Sequence, residues 1–187
     1  YDDRVIRAEQ YRYVLLNKPK GFICTMDDPK GMETVMNLVH SACAERIYPV
    51  GNLDKDTTGL LLFTNDGEMA TKLTHPKNNI RKVYHVVTDQ NVAKEDMDKL
   101  RGGFELEDGF VAPDDIQFVG TGHNKTDIGV EIHSGKNRIV RRMFENFEYE
   151  VESLDRTAFA GLSKKNIPRG QWKFLLEREV IQLKFFS

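Results

Sequence analysis

The 187-residue sequence predicts an α+β domain built on a mixed, largely antiparallel sheet with flanking helices. Two observations carry that expectation. Segments of strand pattern and of helical pattern follow one another irregularly, with many strand–strand neighbours. The regular βα alternation of a doubly wound parallel sheet is absent. Apolar residues make up 40% of the chain and include eleven Phe, six Tyr and one Trp, enough to fill a sizeable core and to exclude a disordered tail.

The elements follow in order. Tyr11 to Asn17 is aromatic and aliphatic and reads as a strand, stopped by the turn composition Lys18-Pro19-Lys20-Gly21. Glu33 to Cys43 has helical spacing, with Val35, Met36, Val39 and Cys43 apolar. Leu60 to Thr64 reads as a buried strand broken by Asn65-Asp66-Gly67, and Glu68 to His75 as a short helix ended by Pro76. Lys82 to Thr88 is a strand, and Lys94 to Leu100 a charged helix closed by Gly102-Gly103. Phe104 to Ala112, Asp115 to Val119 and Asp127 to His133 read as strands. Arg138 to Phe147 is a helix, Val151 to Phe159 a strand, and Glu177 to Phe185 a closing helix. The domain is expected to span 1–187 as two halves flanking a cleft, with their junction near 76–82.

The 27 basic and 29 acidic residues give a formal charge of −2, which taken alone argues against a nucleic-acid coat or a membrane-surface binder. Cys24 and Cys43 have neither metal-ligand nor redox spacing. No pair among the five histidines has zinc spacing, so no metal is expected. The apolar runs are short, Leu60 to Phe63 being typical, and no signal peptide is visible. A cytoplasmic, monomeric protein off the membrane is expected. The chain opens on Tyr1 rather than Met and reads as a piece of a longer protein.

Three segments are harder to explain by packing. Gly51 to Gly59 is a polar loop with glycine at both ends, followed at once by the apolar Leu60-Leu61-Leu62-Phe63. Such a loop holds the Asp54 carboxylate at the edge of a core, although a hairpin loop whose Asp bonds backbone N–H groups has the same composition. Gly135 to Phe147 places Ile139, Val140, Met143, Phe144 and Phe147 on one helical arc, with Arg141 and Arg142 just beyond its edges. One of those arginines can lean into a cleft while the other faces solvent. Arg81-Lys82-Val83-Tyr84-His85-Val86 is a strand with an aromatic flanked by bases.

Together these segments resemble the RsuA/RluB/RluE/RluF family of RNA pseudouridine synthases, over nearly the whole chain. Asn17-Lys18-Pro19-Lys20-Gly21 resembles its NKPxG opening, and Val50 to Gly67 its VGRLDxxTxGLLLxTNDG stretch. Lys82-Val83-Tyr84 resembles the motif of the base-contacting tyrosine, and Gly135 to Met143 the motif GxNRQVRRM. Ile167-Pro168-Arg169-Gly170-Gln171-Trp172 resembles the RluB/RluF branch. The resemblance implies a pseudouridine synthase fold with a central cleft and isomerisation of uridine within ribosomal RNA, large-subunit RNA being favoured. It needs no cofactor. It also implies a small RNA-binding domain upstream of this chain.

Carried over residue by residue, the resemblance makes Asp54 the nucleophile, Tyr84 the base-contacting aromatic and Arg141 the ion-pair partner of Asp54. Val140 packs against the uracil. Asn52, Leu53, Lys18, Lys136, Arg138 and Arg142 complete the expected substrate contacts. There are two departures: Asn52 stands where the family usually has Arg, and Ile139 where Gln is usual. They motivate a second reading, a catalytically silent RNA-binding assembly factor. A synthase of small-subunit or transfer RNA, and a hydrolase using Asp54 with Asp56, are further alternatives. A carboxylate nucleophile must be ionised, and a guanidinium beside it favours the ionised form. The target base must leave its stack, and Tyr84 offers a face to receive it. Attack by Asp54 on the sugar and attack on the base both fit the sequence.

The charge balance is a sum over unlike regions. Residues 136–142 carry +4 and 156–176 carry +5, which leaves −11 for the rest. Lys94 to Asp115 holds eight acids against three bases. A basic cleft wall on a protein with an acidic far side is therefore expected.

Overall fold

The computed structural model describes residues 10–26, 31, 33–121, 123–136 and 138–185, and its centre is one mixed sheet. Strand β1 (Tyr13–Lys18) runs antiparallel to β3 (Thr58–Thr64), from Tyr13 opposite Thr64 to Lys18 opposite Gly59. The short β2 (Tyr48–Pro49) adds to β3, and β11 (Trp172–Phe174) lies on the outer edge of β1. On the other side, β4 (Lys82–Thr88), β8 (Asp127–Ile132) and β7 (Asp115–Phe118) are successive antiparallel neighbours.

Strand β9 (Val151–Phe159) joins these two groups. It is antiparallel to β4 along its length and meets β3 in a two-pair parallel contact, Thr58 opposite Asp155 and Gly59 opposite Arg156. The short β10 (Leu162–Ser163) turns back on β9.

Burial explains why the strands read as they do. Every residue of β1 is buried, because both of its faces are covered, and such a strand is apolar almost throughout rather than alternating. On one face Leu15, Leu60 and Leu62 pack against Met69 and Leu73 of α2 (Gly67–Thr74) and Leu183 of α5 (Glu177–Lys184). On the other, Leu16, Leu61 and Phe63 pack against Val35 and Val39. Beneath β4 and β8, Val86, Ile128 and Val130 pack against Leu100 of α3 (Lys94–Gly102) and Met143 and Phe144 of α4 (Ile139–Glu145). Helix α2 starts where the Asp66 side chain accepts from Met69 N at 3.1 Å, the usual role of an N-cap carboxylate.

Three expectations are corrected. The helix expected over Glu33 to Cys43 shrinks to α1 (Met36–Val39). Asn37 Oδ1 accepts from Thr34 N at 2.8 Å and Thr34 Oγ1 from Met36 N at 3.3 Å, so short polar side chains compete for the backbone there. The strand expected over Phe104 to Ala112 is a hairpin, β5 (Phe104–Leu106) and β6 (Gly109–Val111), turned at Glu107 and Asp108. Third, the hairpin brings Asp108 onto Arg142 and Lys136, so the acidic run does not lie wholly on a far side. Among the described residues no helix is long and apolar enough to cross a membrane.

At Gly59 the backbone of β9 comes into close approach. At φ 109° a Cβ here would lie 2.2 Å from Arg156 O and 2.5 Å from Arg156 N. The strained φ and the backbone clash act together at the β3–β9 junction. Gly59→Ala is expected to cost more than about 4 kcal/mol, measured as loss of soluble, cooperatively melting protein.

Candidate active site

The loop between β2 and β3 ends at the junction of the two strand groups, so what it carries faces a cleft. Lys18, at the end of β1, holds this loop from beneath. It is completely buried, and its ammonium donates to the carbonyls of Thr57 at 2.7 Å, Asp54 and Lys55 at 3.1 Å, and Pro19 at 3.2 Å. Gly21 N donates to Lys55 O and Thr57 N to Asp54 O, which closes the turn. Leu53 is buried among Leu16, Leu61 and Phe63 and pins the loop to the core. The Asp54 carboxylate is thus fixed by its neighbours on both sides while its own side chain stays 26% exposed.

The second contributor is α4. Arg138 precedes it in a left-handed conformation, φ 52°, and sends Nη1 to within 2.8 Å of Asp54 Oδ2. Arg141, on the inward face of the same helix, is buried and reaches the same oxygen from 4.0 Å through Nε. It also donates Nη1 to Val151 O at 3.3 Å. Two guanidiniums therefore converge on one carboxylate oxygen, and the closer one is Arg138, which the sequence reading had assigned to substrate.

A cavity of about 600 Å³ opens between the loop, α4 and the β4–β9 wall. Of the expected site residues, Asp54, Tyr84, Asn52, Leu53, Val140, Lys136 and Arg138 line it. Arg141, Arg142 and Lys18 do not. For Lys18 this corrects the expectation of a substrate contact, since every donor direction of its ammonium is taken up by loop carbonyls. Arg142 forks onto the Asp108 carboxylate and holds it below the usual carboxylate range. Arg142→Ala should accordingly leave turnover and KM for RNA within about fivefold of wild type, measured by steady-state kinetics.

The lining also contains Lys82, Arg156 and Phe159, which the sequence reading did not name as site residues. A bulge in the β4–β9 ladder explains their meeting. Tyr84 pairs with Arg156 but Lys82 pairs with Phe159, so one extra residue of β9 is accommodated between them. Bulges redirect side chains in this way. Of the five bases of 156–176, Arg156 lines the cavity, whereas Lys164 and Arg169 pair with the buried Asp155 and Lys173 lies 3.8 Å from Glu179. Burial raises the cost of ionised Asp155, but hydrogen bonds from Lys164, Thr58 and Arg169 outweigh it and its pKa is lowered. Asp56 is exposed and off the cavity lining, which leaves a two-carboxylate hydrolase without its second acid. Asn137 lies outside the described residues. Among those described, no cluster of His, Cys, Asp and Glu could hold a metal ion.

Comparison with known proteins gives the same picture. The family model described as RNA pseudouridylate synthase matches residues 12–146. A ribosomal large subunit pseudouridine synthase B of Bacillus subtilis is 40% identical over 96% of this chain and 74% of its own length. An uncharacterized RNA pseudouridine synthase of Aquifex aeolicus is 33% identical over 97% of this chain and 73% of its own. A crystal structure of a pseudouridylate synthase superposes with a TM-score of 0.84 at 27% identity, covering 94% of this chain and 75% of that one. A family match over most of the sequence, on a sheet whose central seam lies beside a cavity lined by Asp54, Arg138 and Tyr84, makes this chain a member of the RNA pseudouridylate synthase family.

Proposed function

We propose that this protein isomerises a specific uridine to pseudouridine in large-subunit ribosomal RNA, with Asp54 as nucleophile. The observation that carries the reading is the Asp54 carboxylate held on a clamped loop, at the mouth of a cavity, with Arg138 and Arg141 on its Oδ2. The relatives' names supply the large-subunit target. Arg138 and Arg141 hold the carboxylate aimed at the cavity, as a covalent role demands. The uridine enters the cavity flipped from its stack, where Tyr84 and Val140 offer an aromatic and an aliphatic surface to the base. Asp54 bonds to the nucleotide, the bond from the sugar to nitrogen breaks with its electron pair left on the base, the base turns, a bond from the sugar to carbon 5 forms, the bond to Asp54 breaks, and the proton on carbon 5 leaves to water while the freed nitrogen takes one up. The exposed Asn52 sits at the cavity rim and contributes a neutral polar contact there.

The test is pseudouridine mapping of ribosomal and transfer RNA from a strain lacking the gene. One large-subunit site should disappear and return on rescue with the wild-type gene. An unchanged map would overturn the assignment, and loss confined to transfer or small-subunit RNA would overturn the target.

A further inference from the structure

Among the described residues, the cavity lining carries one carboxylate, Asp54, against four basic side chains, Lys82, Lys136, Arg138 and Arg156. Two of the four are accounted for. Arg138 pairs with Asp54, and Lys136 donates to the carbonyl of Asp108. The other two stand together on the β4–β9 wall without a carboxylate partner among the described residues. Arg156 is only 3% exposed. Its Nε donates to Leu60 O at 2.9 Å and its guanidinium lies over the Phe159 ring at 4.6 Å, but its buried Nη2 has no hydrogen-bond partner among the described residues. Lys82 reaches only two carbonyls, Ser134 O at 3.3 Å and His133 O at 3.5 Å.

This is an unusual arrangement to keep in an empty protein. A buried guanidinium nitrogen left without a partner costs free energy, and a second cation beside it adds repulsion. Burial, and secondarily Arg156, pull the Lys82 ammonium down to about 8, so at neutral pH it is still mostly charged. The geometry removes the alternative partners. Arg81 and Glu131 pair with each other, and Glu131 sits opposite Val83 on the other face of β4. Asp155, next to Arg156 in sequence, is turned away onto Lys164, Arg169 and Thr58. What fits two unpaired cations at one point of a nucleotide-sized cavity is an anion that both can share. A uracil carbonyl would satisfy Nη2 but would leave both charges unmatched.

We infer that Lys82 and Arg156 form a phosphate subsite, which holds a phosphodiester group flanking the flipped nucleotide while Asp54 and Tyr84 face its sugar and base. The inference rests on the pseudouridine synthase reading and adds to it the group that fixes the nucleotide's depth in the cavity. A charge-assisted contact to a phosphate oxygen is stronger than a neutral one, and a guanidinium suits the geometry.

The test uses uridine, uridine 3′-monophosphate and uridine 5′-monophosphate as probes of the full chain, with affinities from NMR titration. One monophosphate should bind wild type at least about tenfold more tightly than uridine does. Lys82→Gln should bring the two within about twofold and reduce the salt slope of RNA binding by about 0.7. Lys82 lies on a partly exposed strand position, so this variant should fold, as a melting curve will check; Arg156→Gln is the companion where it folds. Equal binding of uridine and both monophosphates, no measurable binding of either, or undiminished discrimination by Lys82→Gln would overturn the subsite. Tritium release from RNA labelled at carbon 5 is read separately. Discrimination without release would remove the isomerase reading and leave the subsite in place, and release without discrimination would do the reverse.

Discussion

Asp54→Asn should abolish tritium release from RNA labelled at carbon 5, with a loss of at least about 10⁴-fold, while RNA binds as tightly as to wild type or more so. The magnitude follows from removing the only carboxylate that the described residues place on the cavity lining, since loss of a covalent nucleophile commonly costs several orders of magnitude. The binding half of the prediction is electrostatic. The amide keeps the shape of the carboxylate and can still accept from Arg138 at the 2.8 Å position, so the loop and helix should not move. Neutralising the one negative charge leaves four basic side chains facing the substrate. Backbone phosphates are attracted by that change, most clearly at low salt. Filter binding and the release assay on the same preparation separate the two effects. A variant that retains a tenth of wild-type release would show that Asp54 is not the nucleophile. A variant that loses binding in step with release would show that Asp54 acts by holding the fold or the RNA.

The contrast between what the sequence disclosed and what it hid follows from the kind of contact involved. The strand ends at Lys82 and Thr88, and at Val151 and Phe159, agree with the sequence reading because a strand declares itself by its apolar pattern and its ends by turn residues. Asp54 was legible for a different reason: Val50 to Gly67 resembles the family's motif, whereas the loop composition alone fits a hairpin turn as well. The resemblance named Arg141, which does reach Asp54, but that Arg138 lies closer was not legible. The helical wheel ranks Arg141 and Arg142 by face, but Arg138 lies before the helix in a left-handed conformation that no periodicity predicts. Arg156 and Phe159 were hidden because a bulge puts residues three apart on the same face of a strand, against its period of two. Lys18 was misread because a lysine beside Pro and Gly looks solvated. Its burial is set by where the loop from Asp54 to Thr57 comes to rest, which only the tertiary structure shows. The short β11, Trp172–Phe174, was missed because three residues carry no pattern, and it is held as a strand by pairing with Val14 to Leu16.

Lys18→Met should lower both stability and turnover, and it should do so without weakening RNA binding. Methionine fills most of the lysine volume but returns none of its hydrogen bonds, so the carbonyls of Pro19, Asp54, Lys55 and Thr57 lose their shared donor. A buried acceptor left unpaired costs about 1–3 kcal/mol. Because the loop can turn some of these carbonyls to water, the expected net loss is about 2–4 kcal/mol in urea denaturation. Freed carbonyls mean a freed Asp54, and displacement of a reacting group by about 1 Å costs on the order of 10²-fold in rate. The loss should therefore appear in kcat, measured well below the melting temperature, with KM nearly unchanged. A phosphate contact at Lys18 would give the opposite split, a raised KM and a shallower salt dependence. The pH dependence supplies a further check. Burial lowers the Lys18 pKa from 10.5 to about 8, so between those values the folded state binds fewer protons than the unfolded one. Stability then gains with rising pH from this group, and methionine cannot share in the gain. The stability difference between wild type and Lys18→Met should widen from pH 8 toward pH 10, and a difference that narrows would mean that the folded protein needs the ammonium charge itself more than it is penalised by burying it.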